Sequence, residues 1–256
     1  MEYVNKSGVK GVHLLMPMGG AGSRFFKDGF TMPKPLIIIN DKPFFYWAVK
    51  SVTYSIKPID ITFVVLQQHI DEFDIKTEIL RYFPDANIVI IPEILPGPVF
   101  TARAGVGLYT DRHPILINDC DHMFVCSKLA TDIARDSRIL DGALLTFESN
   151  EPQFSYIKYD VDGNVAGTVE KQVVSNHAIC GAYYFRNRSV FEMVMDEYIL
   201  KCPYKECFIS GMYNIMCEKG MTVKDYLLDE HVEFGTPKEY QRATNSVLFD
   251  RIEKGK

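Results

Sequence analysis

The sequence predicts an α/β fold: a mixed, mostly parallel sheet with helices on both faces and a smaller antiparallel element in the second half. Three observations carry this prediction. Short, β-branched apolar runs alternate with helix-compatible segments through the first half, as in chained βαβ units. The first such run ends in a glycine cluster, Met18-Gly19-Gly20-Ala21-Gly22-Ser23, where a buried strand turns sharply. In the second half, two closely spaced strand runs flank Asp160-Val161-Asp162-Gly163-Asn164, a turn sequence that reads as a hairpin.

Residues 1–10 are polar and expected to fray. Residues 12–16 form a brief apolar run bounded by the glycines, the signature of a buried strand. Residues 36–39 read as strand, Asn40-Asp41-Lys42-Pro43 as a turn, and 44–52 as a helix after the proline. A strand over 59–66 precedes a helix over 71–82, which acidic residues open and Pro84 stops. A strand at 87–91, a Pro/Gly loop and a helix over 101–108 follow; a buried strand at 114–117 then ends in Asn118-Asp119-Cys120-Asp121. Later strands are expected at 142–147, 156–159, 165–169, 178–185 and 222–227, with helices over 190–200 and 206–217. A last helix starts at Pro237, N-capped by Thr236, and runs towards the C-terminus. No repeat or polar linker interrupts the 256 residues, which predicts a single domain over 1–256. Its nucleotide-type half covers about 11–125 and a more antiparallel half about 140–256.

A net charge of −5 leaves no electrostatic footprint for nucleic acid or an anionic membrane, so an anionic ligand must be met by local cations. The apolar run at the N-terminus is too short for a span or a signal core. Six cysteines without a Cys-x-x-Cys pair read as reduced thiols, which predicts a cytoplasmic protein.

The glycine cluster fits neither familiar phosphate loop. A Walker loop needs Lys-Ser/Thr after its last glycine, where this chain has Arg24-Phe25; a dinucleotide fingerprint needs a third glycine at Phe25. What remains is Gly-Gly-x-Gly-x-Arg with Lys34 about ten residues on, held in Pro33-Lys34-Pro35. Backbone amides of Met18 to Ser23 can cover a nucleoside triphosphate. Arg24 can stabilise charge on leaving pyrophosphate, and Lys34 is a point charge beside the reacting phosphorus.

Asp119 and Asp121 lie where a buried strand ends, the place ligands gather in open α/β sheets. Hard carboxylates there suit Mg²⁺ or Mn²⁺. Asp121 is the first ligand; strand alternation points Asp119 away if the backbone stays extended. Lys171 can hold a second phosphate and Glu233 can complete a metal shell, while Tyr156 and Glu206 offer polar contacts to an acceptor. The six histidines show no H-x-x-x-H or H-E-x-x-H spacing, which argues against zinc, and no Gly-x-Ser-x-Gly elbow is present.

Together these motifs resemble the sugar-phosphate nucleotidylyltransferases (NDP-sugar pyrophosphorylases), from Val12 to the C-terminal helix. Gly19 to Arg24 resembles the family's glycine signature and Pro33-Lys34-Pro35-Leu36 its lysine motif. Phe100-Thr101-Ala102 stands where the family contacts the base, and Cys120-Asp121 takes the place of its metal-binding Gly-Asp. Val169-Glu170-Lys171 resembles the sugar-phosphate lysine motif, Gly181-Ala182-Tyr183 the strand after it, and Glu233-Phe234-Gly235-Thr236-Pro237 the Asp-x-Gly-Thr-Pro ending. Three departures bear on base and acceptor specificity: Phe25-Phe26 after Arg24, Phe100 before Thr101, and Glu233 for Asp.

The resemblance implies a Rossmann-like, GT-A-like nucleotidyltransferase whose second half binds the acceptor. It implies catalytic Arg24, Lys34 and Asp121, and nucleotide contacts from Met18, Gly19, Gly20, Ala21, Gly22, Ser23, Thr101 and Ala102. Acceptor contacts fall to Tyr156, Glu170, Lys171, Gly181 and Glu206, and Mg²⁺ to Asp121 and Glu233. The expected reaction joins an NTP to a phosphorylated acceptor, a sugar 1-phosphate first, with release of pyrophosphate. The divergence is similar to that of bacterial capsule and surface-polysaccharide enzymes, and a homo-oligomer is left open. Two other readings stand beside it: a glycosyltransferase using Asp119-Cys120-Asp121 as an Asp-x-Asp site, and a non-catalytic nucleotide-binding regulatory module.

Overall fold

The computed structural model describes residues 11–136 and 140–255; the expectation for residues 1–10 lies outside them. The chain opens with β1 (Val12–Met18), whose glycine-rich exit enters a short helix, α1 (Ser23–Lys27). A 3-10 turn over Lys34–Leu36 and a two-residue hairpin, β2 (Ile38–Ile39) with β3 (Lys42–Pro43), follow. The strand expected at 36–39 is thus half turn. Pro35 sits in the first positions of the 3-10 turn, and Asn40 and Asp41, at φ 45° and 64°, close the hairpin in the left-handed region such turns require.

Next come α2 (Phe44–Ser55), β4 (Pro58–Leu66), α3 (Gln67–Phe73), α4 (Ile75–Tyr82), β5 (Asn87–Ile91), α5 (Pro98–Val106) and β6 (Ile115–Asn118). The helix expected over 71–82 is two. Asp74 breaks it at φ 49°, ψ 37°, a conformation that Asp tolerates better than most residues. Strand β7 (His122–Val125) is not legible in the sequence, because four apolar-rich residues show no period; α6 (Ser127–Asp136), absent from the expected helices, is amphipathic, with Leu129 and Ile133 four residues apart on its buried face.

The second half contains β8 (Gly142–Glu148), β9 (Ser155–Tyr159), β10 (Val165–Glu170), β11 (His177–Phe185), α7 (Arg188–Lys201), α8 (Ile209–Glu218), β12 (Val223–Leu227), β13 (Glu230–Glu233), α9 (Pro237–Ala243) and α10 (Leu248–Lys254). The hairpin forms as expected, with β9 antiparallel to β10. The last helix is again two, interrupted between Ala243 and Leu248.

Among the described residues, nine strands make one sheet in the order β10-β9-β11-β6-β1-β4-β5, with β8 joined to β11 and β12 to β8. Strand β1 lies parallel to β4 and β6, and β4 to β5, whereas β11 runs antiparallel to β6 and β8. This is the predicted mixed sheet, parallel through its first half and antiparallel where β9, β10 and β11 meet. Alternation along β1 sends Leu14 and Met16 into a core with α2 and α10, and Leu15 into a core with α5, α7 and α8. Apart from the main sheet, β7 pairs antiparallel with β13 in a small ribbon. No helix among the described residues is long and apolar enough to cross a membrane.

Candidate active site

A cleft of about 700 Å³ opens where β1 and β6 end, between the glycine loop, the β7–β13 ribbon, the middle of β11 and the tips of β10 and α8. Met18 to Arg24 line one wall. Gly22, at φ 61°, turns the chain into α1 through the left-handed region that glycine adopts without strain. Gly20 and Ala21 are exposed, so their backbone is open to a ligand. Phe25 explains one departure from the family pattern. It is 1% exposed and packs edge-on against Phe30 and Phe44, at 5.0 and 5.7 Å between ring centroids. That anchor fixes α1 and leaves the exposed Arg24 on the cleft.

The Lys34 ammonium donates to Asp121 Oδ2 at 2.8 Å. Burial works against the charged lysine, but Asp121 outweighs it and raises the Lys34 pKa above the ordinary lysine range. Burial likewise opposes the Asp121 carboxylate, and the facing ammonium holds its pKa below the usual value. Asp119 also lines the cleft, contrary to the alternation argument. The chain bends at Cys120 and Asp121 after β6 ends, so the two-residue period is broken and both carboxylates share the cleft. Burial, and then repulsion from Asp121, push the Asp119 pKa upward.

Two glycines make room for these carboxylates. A Cβ on Gly235 would come within 2.3 Å of Asp121 Oδ2 and 3.5 Å of Glu239 Oε2. One on Gly181 (φ 95°) would meet Asp119 Oδ2 at 2.7 Å.

Glu239 escapes a reading of the sequence. In Thr236-x-x-Glu239 it looks like the partner in a capping box, and Thr236 Oγ1 does accept from its backbone N–H at 3.2 Å. Its carboxylate instead accepts from Gln153 Nε2 at 3.1 Å, is 5% exposed in total, and lines the cleft. The capping pattern is the only local signal, and it points to structure. Glu233 lines the same wall; burial, then the neighbouring Glu239, raise its pKa to about 7, and its Oε2 has no hydrogen-bond partner among the described residues. Asp121 and Glu239 flank a space that a Gly235 side chain would fill, and Asp119 and Glu233 bring further hard oxygen donors to the same cleft. This set fits Mg²⁺ or Mn²⁺.

On the opposite wall, Thr101, Glu170, Gly181 and Glu206 line the cleft as expected of contact residues, and Ser155 Oγ donates to Glu170. Two expected contacts lie elsewhere. Ala102 is fully buried on the sheet-facing side of α5, among core residues such as Leu15 and Val64. Tyr156 is fully buried, and its hydroxyl donates to the Glu151 carbonyl at 2.7 Å. One residue from Thr101 or from Ser155, alternation or helical rotation turns each inward. Lys171 stands at the rim: exposed, at φ 52°, with its ammonium 5.2 Å from the centre of the Phe208 ring, which lines the cleft.

The family model described as "Nucleotidyl transferase" matches residues 14–249. No curated protein matches the sequence. Among solved structures, a nucleoside-diphosphate-sugar pyrophosphorylase from Vibrio cholerae RC9 is 22% identical, with 91% of this chain and 100% of that one covered at a TM-score of 0.78. An inositol-1-phosphate CTP transferase from T. maritima is 14% identical, with 97% of each chain covered at 0.73. A UDP-glucose pyrophosphorylase complexed with UDP-glucose is 17% identical, with 94% of this chain and 100% of that one covered at 0.73.

Proposed function

The chain belongs to the nucleotidyl transferase family, and from that premise we propose that it joins an NTP to a phosphorylated acceptor, a sugar 1-phosphate, with release of pyrophosphate. One observation carries the reading: Lys34 and Asp121, paired at 2.8 Å, face the glycine loop and Arg24 across a single cleft. The structural neighbours, a nucleoside-diphosphate-sugar pyrophosphorylase and an inositol-1-phosphate CTP transferase, support a phosphorylated acceptor, and the first of them favours a sugar. We read the chain as one domain, with nucleotide contacts from about 11–125 and acceptor contacts from about 140–256.

In this mechanism an acceptor phosphate oxygen attacks the α-phosphorus of the NTP, and the bond from that phosphorus to the β-phosphate oxygen breaks. The nucleotidyl group ends on the acceptor, and the electron pair leaves with pyrophosphate. A phosphomonoester with a second pKa near 6 is largely dianionic at neutral pH, so no general base is required. Amides of the glycine loop and Arg24 hold the triphosphate, and Lys34 faces the reacting phosphorus. Glu170, braced by Ser155, and Glu206 place the acceptor, while Lys171 reaches its phosphate from the rim. Asp119, Asp121, Glu233 and Glu239 would hold Mg²⁺ or Mn²⁺, which when bound neutralises phosphate charge and orients the two anions.

The test is a matrix of the five NTPs against sugar 1-phosphates, inositol phosphates and phosphorylated alcohols, read by pyrophosphate release. Release with a sugar 1-phosphate is expected; release only with another acceptor class, or none at all, overturns the assignment. Asp119 on the cleft also satisfies an Asp-x-Asp site of a glycosyltransferase, but that reaction starts from a nucleotide sugar and frees no pyrophosphate. The sequence resemblance supports a place in supplying activated precursors for a surface polysaccharide, and six cysteines without a Cys-x-x-Cys pair support a cytoplasmic location.

A further inference from the structure

The cleft contains a second ligand cluster that nucleotidyl transfer does not use. His122 on β7, Cys180 on β11 and His231 on β13 each offer one ligand atom, and these atoms all lie within 4.8 Å of one another. The topology explains the meeting. His122 pairs with Glu233 across the ribbon, so His231, two residues earlier, lies diagonally opposite on the same face. That face looks onto β11, which supplies the thiol. The two imidazole centroids are 5.4 Å apart.

His122 is buried and His231 half-buried, both without the partners such rings need. His122 is 3% exposed, and among the described residues neither of its ring nitrogens is hydrogen-bonded; His231 Nε2 is buried and unbonded among them too. Backbone at Gly181 lies near the His122 ring without a hydrogen bond to either nitrogen. Leaving such a group unsatisfied costs about 1–3 kcal/mol, and native proteins seldom keep several together unless water or an ion completes them. The absence of an H-x-x-x-H spacing argued against zinc, yet the three ligands come from strands remote in sequence, where no short spacing can register them.

We propose that His122, Cys180 and His231 form a site for a borderline-soft divalent cation, Zn²⁺, with its fourth position open to the cleft that all three residues line. Two imidazoles and a thiolate suit zinc and not magnesium, so the site is chemically separate from the Asp119, Asp121 and Glu239 oxygens. Binding breaks the Cys180 S–H bond, forms a metal–sulfur bond and gives the proton to solvent. Occupancy clamps the β7–β13 ribbon, and with it Glu233, onto β11.

The experiment uses metal-free, full-length protein without nucleotide, so that it is independent of the transfer reaction. Co²⁺ is titrated as a spectroscopic probe, and Zn²⁺ is titrated in competition with a chromophoric chelator. One equivalent of each is expected to bind, with a thiolate-to-cobalt charge-transfer band. Cys180→Ser should abolish that band. His231→Gln should weaken zinc by at least about 100-fold, more than the loss of an outer-shell partner costs. Asp121→Asn should change neither. Circular dichroism confirms that the variants fold. Absence of the band in the wild-type protein, which needs no variant, overturns the proposal. So does zinc affinity that depends on Asp121 and not on His231.

Discussion

Lys34 Nζ and Asp121 Oδ2 stand 2.8 Å apart although 87 residues separate them in the chain. One comes from a proline-braced turn after the glycine loop and the other from the bend that ends β6, so the pair joins the two motifs at the cleft floor. Lys34→Ala, Arg24→Ala and Asp121→Ala should each lower turnover by about 100- to 1,000-fold, the usual loss when one group stabilising transition-state charge is removed. The lysine and aspartate effects should not add, because either change breaks the same pair. Pyrophosphate release in single turnover measures this, and unchanged release in any of the three would sink the mechanism.

Gly235→Ala tests whether space between Asp121 and Glu239 matters. The new methyl would sit 2.3 Å from Asp121 Oδ2, which must move. The cost is expected at about 1–3 kcal/mol of stability, with a higher metal requirement for activity. Urea unfolding and a Mg²⁺ titration of turnover read the two effects separately.

Glu239→Gln keeps the backbone cap from Thr236 and removes one negative charge from the cleft. The metal concentration giving half-maximal activity should rise about 10-fold or more, by analogy with changes to supporting groups at metal sites. Thermal stability should hardly change. A Glu239 whose only role is to support the helix would give the opposite result, lost stability with an unaltered metal response.

Tyr156→Phe should leave KM for the acceptor unchanged, because the ring is fully buried and its hydroxyl bonds the Glu151 carbonyl. Loss of that one hydrogen bond costs about 1 kcal/mol. A large rise in KM would restore Tyr156 as an acceptor contact.

His13 gives stability a pH dependence far from the cleft. Burial disfavours its charged form, but Asp60 and Asp111, each about 3 Å from a ring nitrogen, raise its pKa above the ordinary 6.5. The folded state therefore binds the proton more tightly than the unfolded state. This contribution is complete below about pH 6.5 and is lost as pH rises through the higher folded value. Asp111 has the opposite sense. Burial opposes its charge, yet His13 and His113 hold its pKa near 2, so its contribution is complete above the ordinary 3.8 and fades as pH falls towards 2. Urea unfolding from pH 5.5 to 8.5 should show the wild-type advantage over His13→Asn shrinking with rising pH; a constant difference would contradict the assignment.

Amino-acid sequence alone determined the strand–helix alternation, the glycine loop with Arg24 and Lys34, and the placing of Asp121 at a strand end. These are legible because short-range periodicity, glycine and proline act on the chain locally. Sequence could not show that Asp119 shares the cleft, since a bend at Cys120 and Asp121 cancels the alternation that a strand would impose. Nor could it separate Thr101 from Ala102, or Ser155 from Tyr156, because a shift of one residue moves a side chain between cleft and core. Glu239 carries only a capping-box spacing from Thr236, and His122, Cys180 and His231 are remote from one another in the chain. Only tertiary structure decided these, by pairing β7 with β13 and laying that ribbon against β11. The physical reason is that burial and proximity between distant segments are set by packing of the whole chain, and no local pattern encodes them.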